Sequence, residues 1–306
     1  MAFSGASSTI NNVGSMKNNG IELELNTNNI RKKDFTWSTS ANIAHTKNSI
    51  TELGGEKFLL NQGERTELYL NRPGSQLIQF YGYKTDGVWL SQADITAAQA
   101  AGLTSSLPGV FVAGGLKLVD YDGNGKIDAN DRTVIGNPYP DFTWGITNSF
   151  KLKNFDLSFQ FQGVQGGSLI NGDPNYNETK RYNKNYNQNR WLSPMFPGDG
   201  KTPYSTVGFN WMLTDYVVED ASYYAFREIL LGITVGDKWI KRAKLNSLRF
   251  YISAQNLFFH SAKNYRGINP EARFTSGDYT SPLIDGYQRG SFPIPKTYQF
   301  GIDLNF

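Results

Sequence analysis

The sequence has no cysteine and two histidines, His45 and His260. The first absence excludes thiolate metal sites, disulfide staples and cysteine nucleophiles, and carries no information about compartment. The second leaves little for a histidine-based metal or acid–base site. Nowhere do about 18 apolar residues run together, so no transmembrane helix is encoded. Charge of one sign is also scarce: the net +3 on 306 residues does not by itself argue for nucleic acid, and no such partner is expected. Residues 1 to 10 lack the basic and apolar regions of a signal peptide, which for an exported protein implies a start after processing or inside a longer chain. No G-x-S-x-G elbow, metal-hydrolase histidine pair or P-loop occurs. The chain is therefore read as a non-enzyme, although a glycosidase carboxylate pair is spatial and stays open.

What is present is polar bulk with many aromatics. Apolar residues make up 39%, below the usual share of roughly 45–50%, while aromatics reach 14%. A transmembrane β-barrel, polar inside and aromatic at its rims, has this balance. A glycan-binding β-sandwich has it too.

Period-2 alternation marks the strands. Ile21, Leu23 and Leu25 alternate with Glu22, Glu24 and Asn26; after a polar, basic turn from Thr27 to Lys33 the pattern resumes at Phe35, Trp37, Ala41 and Ile43 against Thr36, Ser38, Ser40 and Asn42. The clearest hairpin sets Phe142, Trp144 and Ile146, then Phe155, Leu157, Phe159 and Phe161, against Asp156, Ser158, Gln160 and Gln162, with a turn over Lys151 to Asn154. Ile229, Leu231, Ile233 and Val235 follow, with a bulge expected near Arg227 and Glu228, and a basic turn, Lys238 to Lys244, leads to Leu248, Phe250, Ile252 and Ala254. The last strand carries Tyr298, Phe300, Ile302, Leu304 and the terminal Phe306.

Between these lie a Ser/Gly/Asn-rich start over residues 1 to 17 and three long irregular segments, about 50–141, 165–220 and 260–292. The first is expected to hold a short strand at Phe80 to Tyr83 and a short helix opened by Ser91 and Asp94; the second is rich in Asn and Tyr around Asn175 to Trp191, where Asn177-Glu178-Thr179 is a chance-level sequon. Short and long connections alternate, as in outer-membrane barrels with short periplasmic turns and long extracellular loops. On that assignment the final strand ends at the periplasm. About seven strands is incomplete for a bacterial barrel, so other strands are expected outside this chain. Lysines and arginines in the short turns suit anionic headgroups or plain solvation.

One constellation carries chemistry. In Asp120 to Asp131, oxygen side chains stand at positions 1, 3, 5, 9 and 12 (Asp120, Asp122, Asn124, Asp128, Asp131), Gly125 takes the sixth position and Ile127 the eighth. Lys126 offers its backbone carbonyl. This is EF-hand-type spacing for a hard cation, with Asp131 replacing the usual Glu and without flanking helices. Structural Ca2+ in an extracellular loop is the expectation; an ion-free acidic turn is the alternative.

Asn19-Gly20-Ile21-Glu22-Leu23, Phe80 to Gly87, Asp120 to Arg132 with Val134 to Pro138, Phe142 to Gly145, Ser253 to Phe258 and Pro295 to Phe306 together resemble the C-terminal part of SusC/RagA-family TonB-dependent outer-membrane transporters. The resemblance implies an all-β fold, part of an antiparallel barrel of about 22 strands around a plug, in the outer membrane of a Gram-negative bacterium. It also implies import of oligosaccharides or peptides with a SusD-like surface lipoprotein, in contact with outer-membrane lipid and driven by TonB-ExbB-ExbD. Residues 1–306 are then one barrel segment; plug and TonB box have no counterpart here. A calcium-stabilised extracellular glycan-binding β protein without transport activity is the competing expectation.

Overall fold

Seven long strands pair in sequence order into one antiparallel sheet: β1 (Gly14–Arg31), β2 (Phe35–Leu53), β3 (Phe142–Leu152), β4 (Phe155–Gln165), β5 (Tyr223–Thr234), β6 (Ser247–Ser261) and β7 (Thr297–Asn305). They are seen in a computed structural model that describes residues 14–63, 66–172, 189–204, 212–236, 240, 245–272, 281–288 and 292–306. The expected strand number and order are both found. No helix among the described residues is long and apolar enough to cross a membrane.

The boundaries differ from the sequence reading. Gly14 to Lys17, expected as loop, belong to β1, and Lys151 and Leu152, expected in a turn, belong to β3. Hydrogen-bonded ladders run on past the apolar positions that mark them in sequence, because the backbone pairs regardless of side chain. The turns are correspondingly tight: β3 and β4 are joined by Lys153 and Asn154 alone, with Lys153 at φ 52°. The expected basic turn from Lys238 to Lys244, the stretch 175–188 and the sequon lie outside the described residues, apart from Ile240. The expected bulge is present, with a register shift between Phe226 and Glu228 against both neighbouring strands.

The two faces of this wall are chemically opposed. Ile21, Leu23, Phe300 and Tyr298 stand on one face, 74%, 64%, 69% and 71% exposed. Among the described residues nothing packs on them. A water-soluble sandwich buries such a face, whereas a barrel turns it to lipid. Near the tight-turn end the same face carries a ring stack, Trp37 on Phe150 at 5.6 Å and Phe150 on Phe159 at 5.9 Å, as a rim girdle requires.

The hydrophobic core lies beyond the wall, in the long connections. Phe80, Tyr69 and Leu116 from the first, Ile170, Trp191, Leu213 and Val217 from the second, and Tyr287 from the third form one buried cluster. Fully burying each such side chain contributes about 1.5–3 kcal/mol. Small sheets brace it: Thr133–Gly136, Gln79–Gly82, Leu68–Asn71 and Leu59–Gln62 form one, and Val218–Asp220, Ser168–Asn171 and Tyr287–Gln288 another. The first two connections touch closely where the Tyr83 N–H donates to the Leu213 carbonyl at 2.9 Å. Only glycine fits beside that bond, since a Cβ on Gly82 would lie 2.3 Å from the Leu213 oxygen. The segments read as irregular loops are thus one folded layer over one end of the wall.

Candidate functional site

The acidic loop hangs from this layer by Ile127, which is fully buried against Tyr83, Val110 and Leu118. Lys126 and Ile127 also pair in parallel with Thr104 and Ser105. Gly123 and Gly125 adopt φ of +73° and +81°, the left-handed region that favours glycine, and there the chain reverses.

Backbone donors hold the carboxylates in place. Asp120 accepts from the N–H of Gly123 at 2.9 Å, Asn124 at 3.2 Å and Gly125 at 2.7 Å. Asp131 is fully buried and accepts from Tyr121 at 2.7 Å, Asp122 at 3.3 Å and Asp128 at 2.7 Å. These bonds offset the repulsion of like charges, and an oxygen from each of Asp120, Asp122 and Asp131 lies within 4.8 Å of the others. Calcium binds oxygens at about 2.3–2.6 Å, so ligands on one ion lie up to about 5 Å apart. The donor set fits such an ion.

Three of the four expected aspartates converge in this way. Asp128 does not join them: it accepts from the Asn130 N–H at 2.8 Å and pairs with the Lys126 ammonium at 3.2 Å. The Asn130 N–H, and then Lys126, hold its carboxyl below the usual range. Asn124 turns its side-chain oxygen to the Lys126 N–H at 2.7 Å. The strands Leu116–Leu118 and Thr133–Gly136 flank the loop in place of helices, so a cation here would brace the loop and open no helix pair.

On the wall, the polar face forms rows set by register. Thr36, Lys151 and Asp156 make one, Ser38, Ser149 and Ser158 the next, then Ser40, Thr147 and Gln160, then Asn42, Gly145 and Gln162. All eight positions expected on this face share it. Sequence did not reveal its charge network. Arg249 on β6 reaches across β5 to grip Asp156 with Nη2 at 2.7 Å and Nε at 3.2 Å, and holds Asp303 at 3.0 Å. Gly232 leaves the passage open, since a Cβ there would meet both partners at 2.6 Å. At the bulge, Arg227 pairs with Glu271 and bonds Asn256 at 3.0 Å, which ties the third long connection to the wall. The only sequence signal for these pairs is that Arg249 and Asp303 occupy polar positions of the alternation.

No family model matches the chain. TonB-dependent receptor P3 of Formosa agariphila is 30% identical over 316 residues, which cover 99% of this chain and 30% of the receptor. TonB-dependent receptor SusC of Bacteroides thetaiotaomicron is 25% identical over 310 residues, 96% of this chain and 27% of that protein. A structure described as the RagAB peptide transporter superposes with a TM-score of 0.71 at 21% identity, covering 99% of this chain and 31% of the other. That likeness shows the fold. The chain spans about 30% of the length of the curated relatives it matches.

Proposed function

We propose that the chain belongs with the SusC/RagA-type TonB-dependent receptors of the Gram-negative outer membrane and forms the C-terminal barrel segment of a nutrient importer, a reading supported by its likeness to such receptors over nearly its whole length. Its relatives are receptors, not enzymes. The observation that carries the reading is the wall itself: seven neighbouring antiparallel strands, apolar on one face and there uncovered by any described residue, polar and cross-linked by Arg249 on the other. In a closed barrel the first face meets lipid and the second lines a polar lumen. Oligosaccharides or peptides are the cargo, taken up with a SusD-like surface lipoprotein at the loop layer and powered by TonB-ExbB-ExbD through parts of the protein outside this chain.

The acidic loop has a bracing role in this scheme. Ca2+ held by Asp120, Asp122 and Asp131, with Asn124 and the Lys126 carbonyl completing the shell and Asp128 at most through a water, fixes the outer layer where a lipoprotein docks. A soluble glycan-binding protein would have to cover the Ile21–Leu23 and Tyr298–Phe300 surface, and no described element does so.

A cell lacking the whole protein tests the proposal. It loses growth on the oligosaccharide or peptide it imports, and the detergent-extracted protein brings a surface lipoprotein with it. Unchanged uptake, or a monodisperse protein without detergent, contradicts the reading. For the ion, isothermal titration of the Asp120→Ala and Asp122→Ala variants decides, with unchanged calcium binding as the refuting result.

A further inference from the structure

The small sheet of Gln79–Gly82, Leu68–Asn71 and Leu59–Gln62 turns Tyr69 and Phe80 into the core, so its other face carries Leu60, Leu70 and Tyr81 beside Gln62, Leu68 and Gln79. Leu60, Leu70 and Tyr81 floor a cavity of about 450 Å³, within the range of roughly 300–1,000 Å³ typical of ligand sites. Its rim is cationic: Lys57, Arg72 and Arg132 line it, with no carboxylate or carboxamide among the lining residues. Among the described residues neither Lys57 nor Arg72 is paired with an acid. Arg132 lies 5.3 Å from the Tyr83 ring centre and directly follows Asp131, so the acidic loop sets its position.

We propose that this cavity binds a short acidic peptide, with an apolar side chain on the Leu60–Leu70–Tyr81 floor and carboxylates at Lys57, Arg72 and Arg132. Charge complementarity selects the anion. The floor favours a peptide: Leu60, Leu70 and Val134 stand with the rings of Phe58 and Tyr81, and the acceptors among the lining side chains are only the Thr133 and Tyr81 hydroxyls, few for a hydroxyl-rich sugar ring. The inference concerns binding alone and does not depend on uptake.

Titration calorimetry on the detergent-held full protein tests it, with the tripeptide glutamyl-leucyl-glutamate, its neutral counterpart glutaminyl-leucyl-glutamine, and trigalacturonate as probes. The acidic tripeptide should bind at least tenfold tighter than the neutral one. Arg72→Gln and Lys57→Gln, both at exposed positions, should each weaken it about tenfold, the scale of one lost charge-assisted hydrogen bond. Absent binding, equal affinity for the neutral peptide, or no effect of either substitution overturns the proposal. Tighter binding of trigalacturonate overturns it in favour of an acidic sugar.

Discussion

Replacing Asp131 and Asp122 one at a time separates the folding of the acidic loop from its capacity for an ion. The buried Asp131 carboxylate accepts three backbone N–H groups, from Tyr121, Asp122 and Asp128. Asp131→Ala orphans all three, and an unsatisfied buried donor costs about 1–3 kcal/mol; with water reaching the exposed side of the loop, a local loss of about 3–5 kcal/mol follows. Asp122 is exposed and, among the described residues, accepts only from Asn124, within its own turn. Its replacement by alanine should cost the ion-free loop about 0.5 kcal/mol or less. If calcium binds with the Kd of about 10⁻⁴–10⁻³ M seen in extracellular modules, about 1 mM calcium adds roughly 0.4–1.4 kcal/mol, and Asp122→Ala abolishes that gain. Amide hydrogen exchange of Gly125 to Asp131 in chelator and in calcium reads both effects. Asp131→Ala should exchange fast in either buffer; Asp122→Ala should match the parent in chelator and gain nothing from calcium. Native-like protection of Asp131→Ala refutes the buried-carboxylate argument, and a full calcium gain in Asp122→Ala refutes the site.

Three substitutions in the wall and one titration in the acidic loop extend the test. Leu231→Arg, on the exposed apolar face, should destabilise the folded protein in bilayers by about 2–4 kcal/mol if it lies near the membrane midplane, while Gln160→Arg on the polar face should change stability little in the same urea titration. Gly232→Val should open the Arg249–Asp156 pair and lower stability by about 1 kcal/mol, an effect that disappears in an Arg249→Met background if the clash is with that pair. Asp128 has a folded pKa below its ordinary value of 3.8, so its contribution to loop order is complete above that value and is lost as pH falls through the lower folded one. Its carboxyl resonance should therefore stay at the ionised position from pH 7 down to about 5, and a midpoint above 3.8 would show that the Asn130 and Lys126 contacts are not formed.

The wall was legible because both of its faces repeat with period two over many residues. Phe155, Leu157, Phe159 and Phe161 against Asp156, Ser158, Gln160 and Gln162 already specify strand, register and sidedness. The loop layer was legible only at the strand around Phe80 and the helix capped by Ser91, because strands such as Leu59–Gln62 and Leu68–Asn71 have four residues each, too few for a period to show. Its core is also assembled from three distant segments, and Phe80 meeting Ile170 and Tyr287 depends on tertiary packing alone. The acidic loop was legible in position but only partly in geometry: the spacing names six positions, yet Lys126 draws Asp128 aside. Arg249 reaching Asp156, 93 residues away, leaves no local trace, although the glycine it needs stands in plain sequence at position 232.

The absence of cysteine makes the central claim directly measurable. Single cysteines placed at 298 to 304 along β7 and spin-labelled, in the full protein in bilayers, report contact with oxygen dissolved in lipid or with a water-soluble nickel complex. The account predicts a period of two: Phe300, Ile302 and Leu304 positions reached by oxygen, Gln299, Gly301 and Asp303 positions reached by the nickel complex. Nickel access at every position, or protection of the Phe300 and Ile302 positions from both reagents, would contradict a membrane-spanning wall.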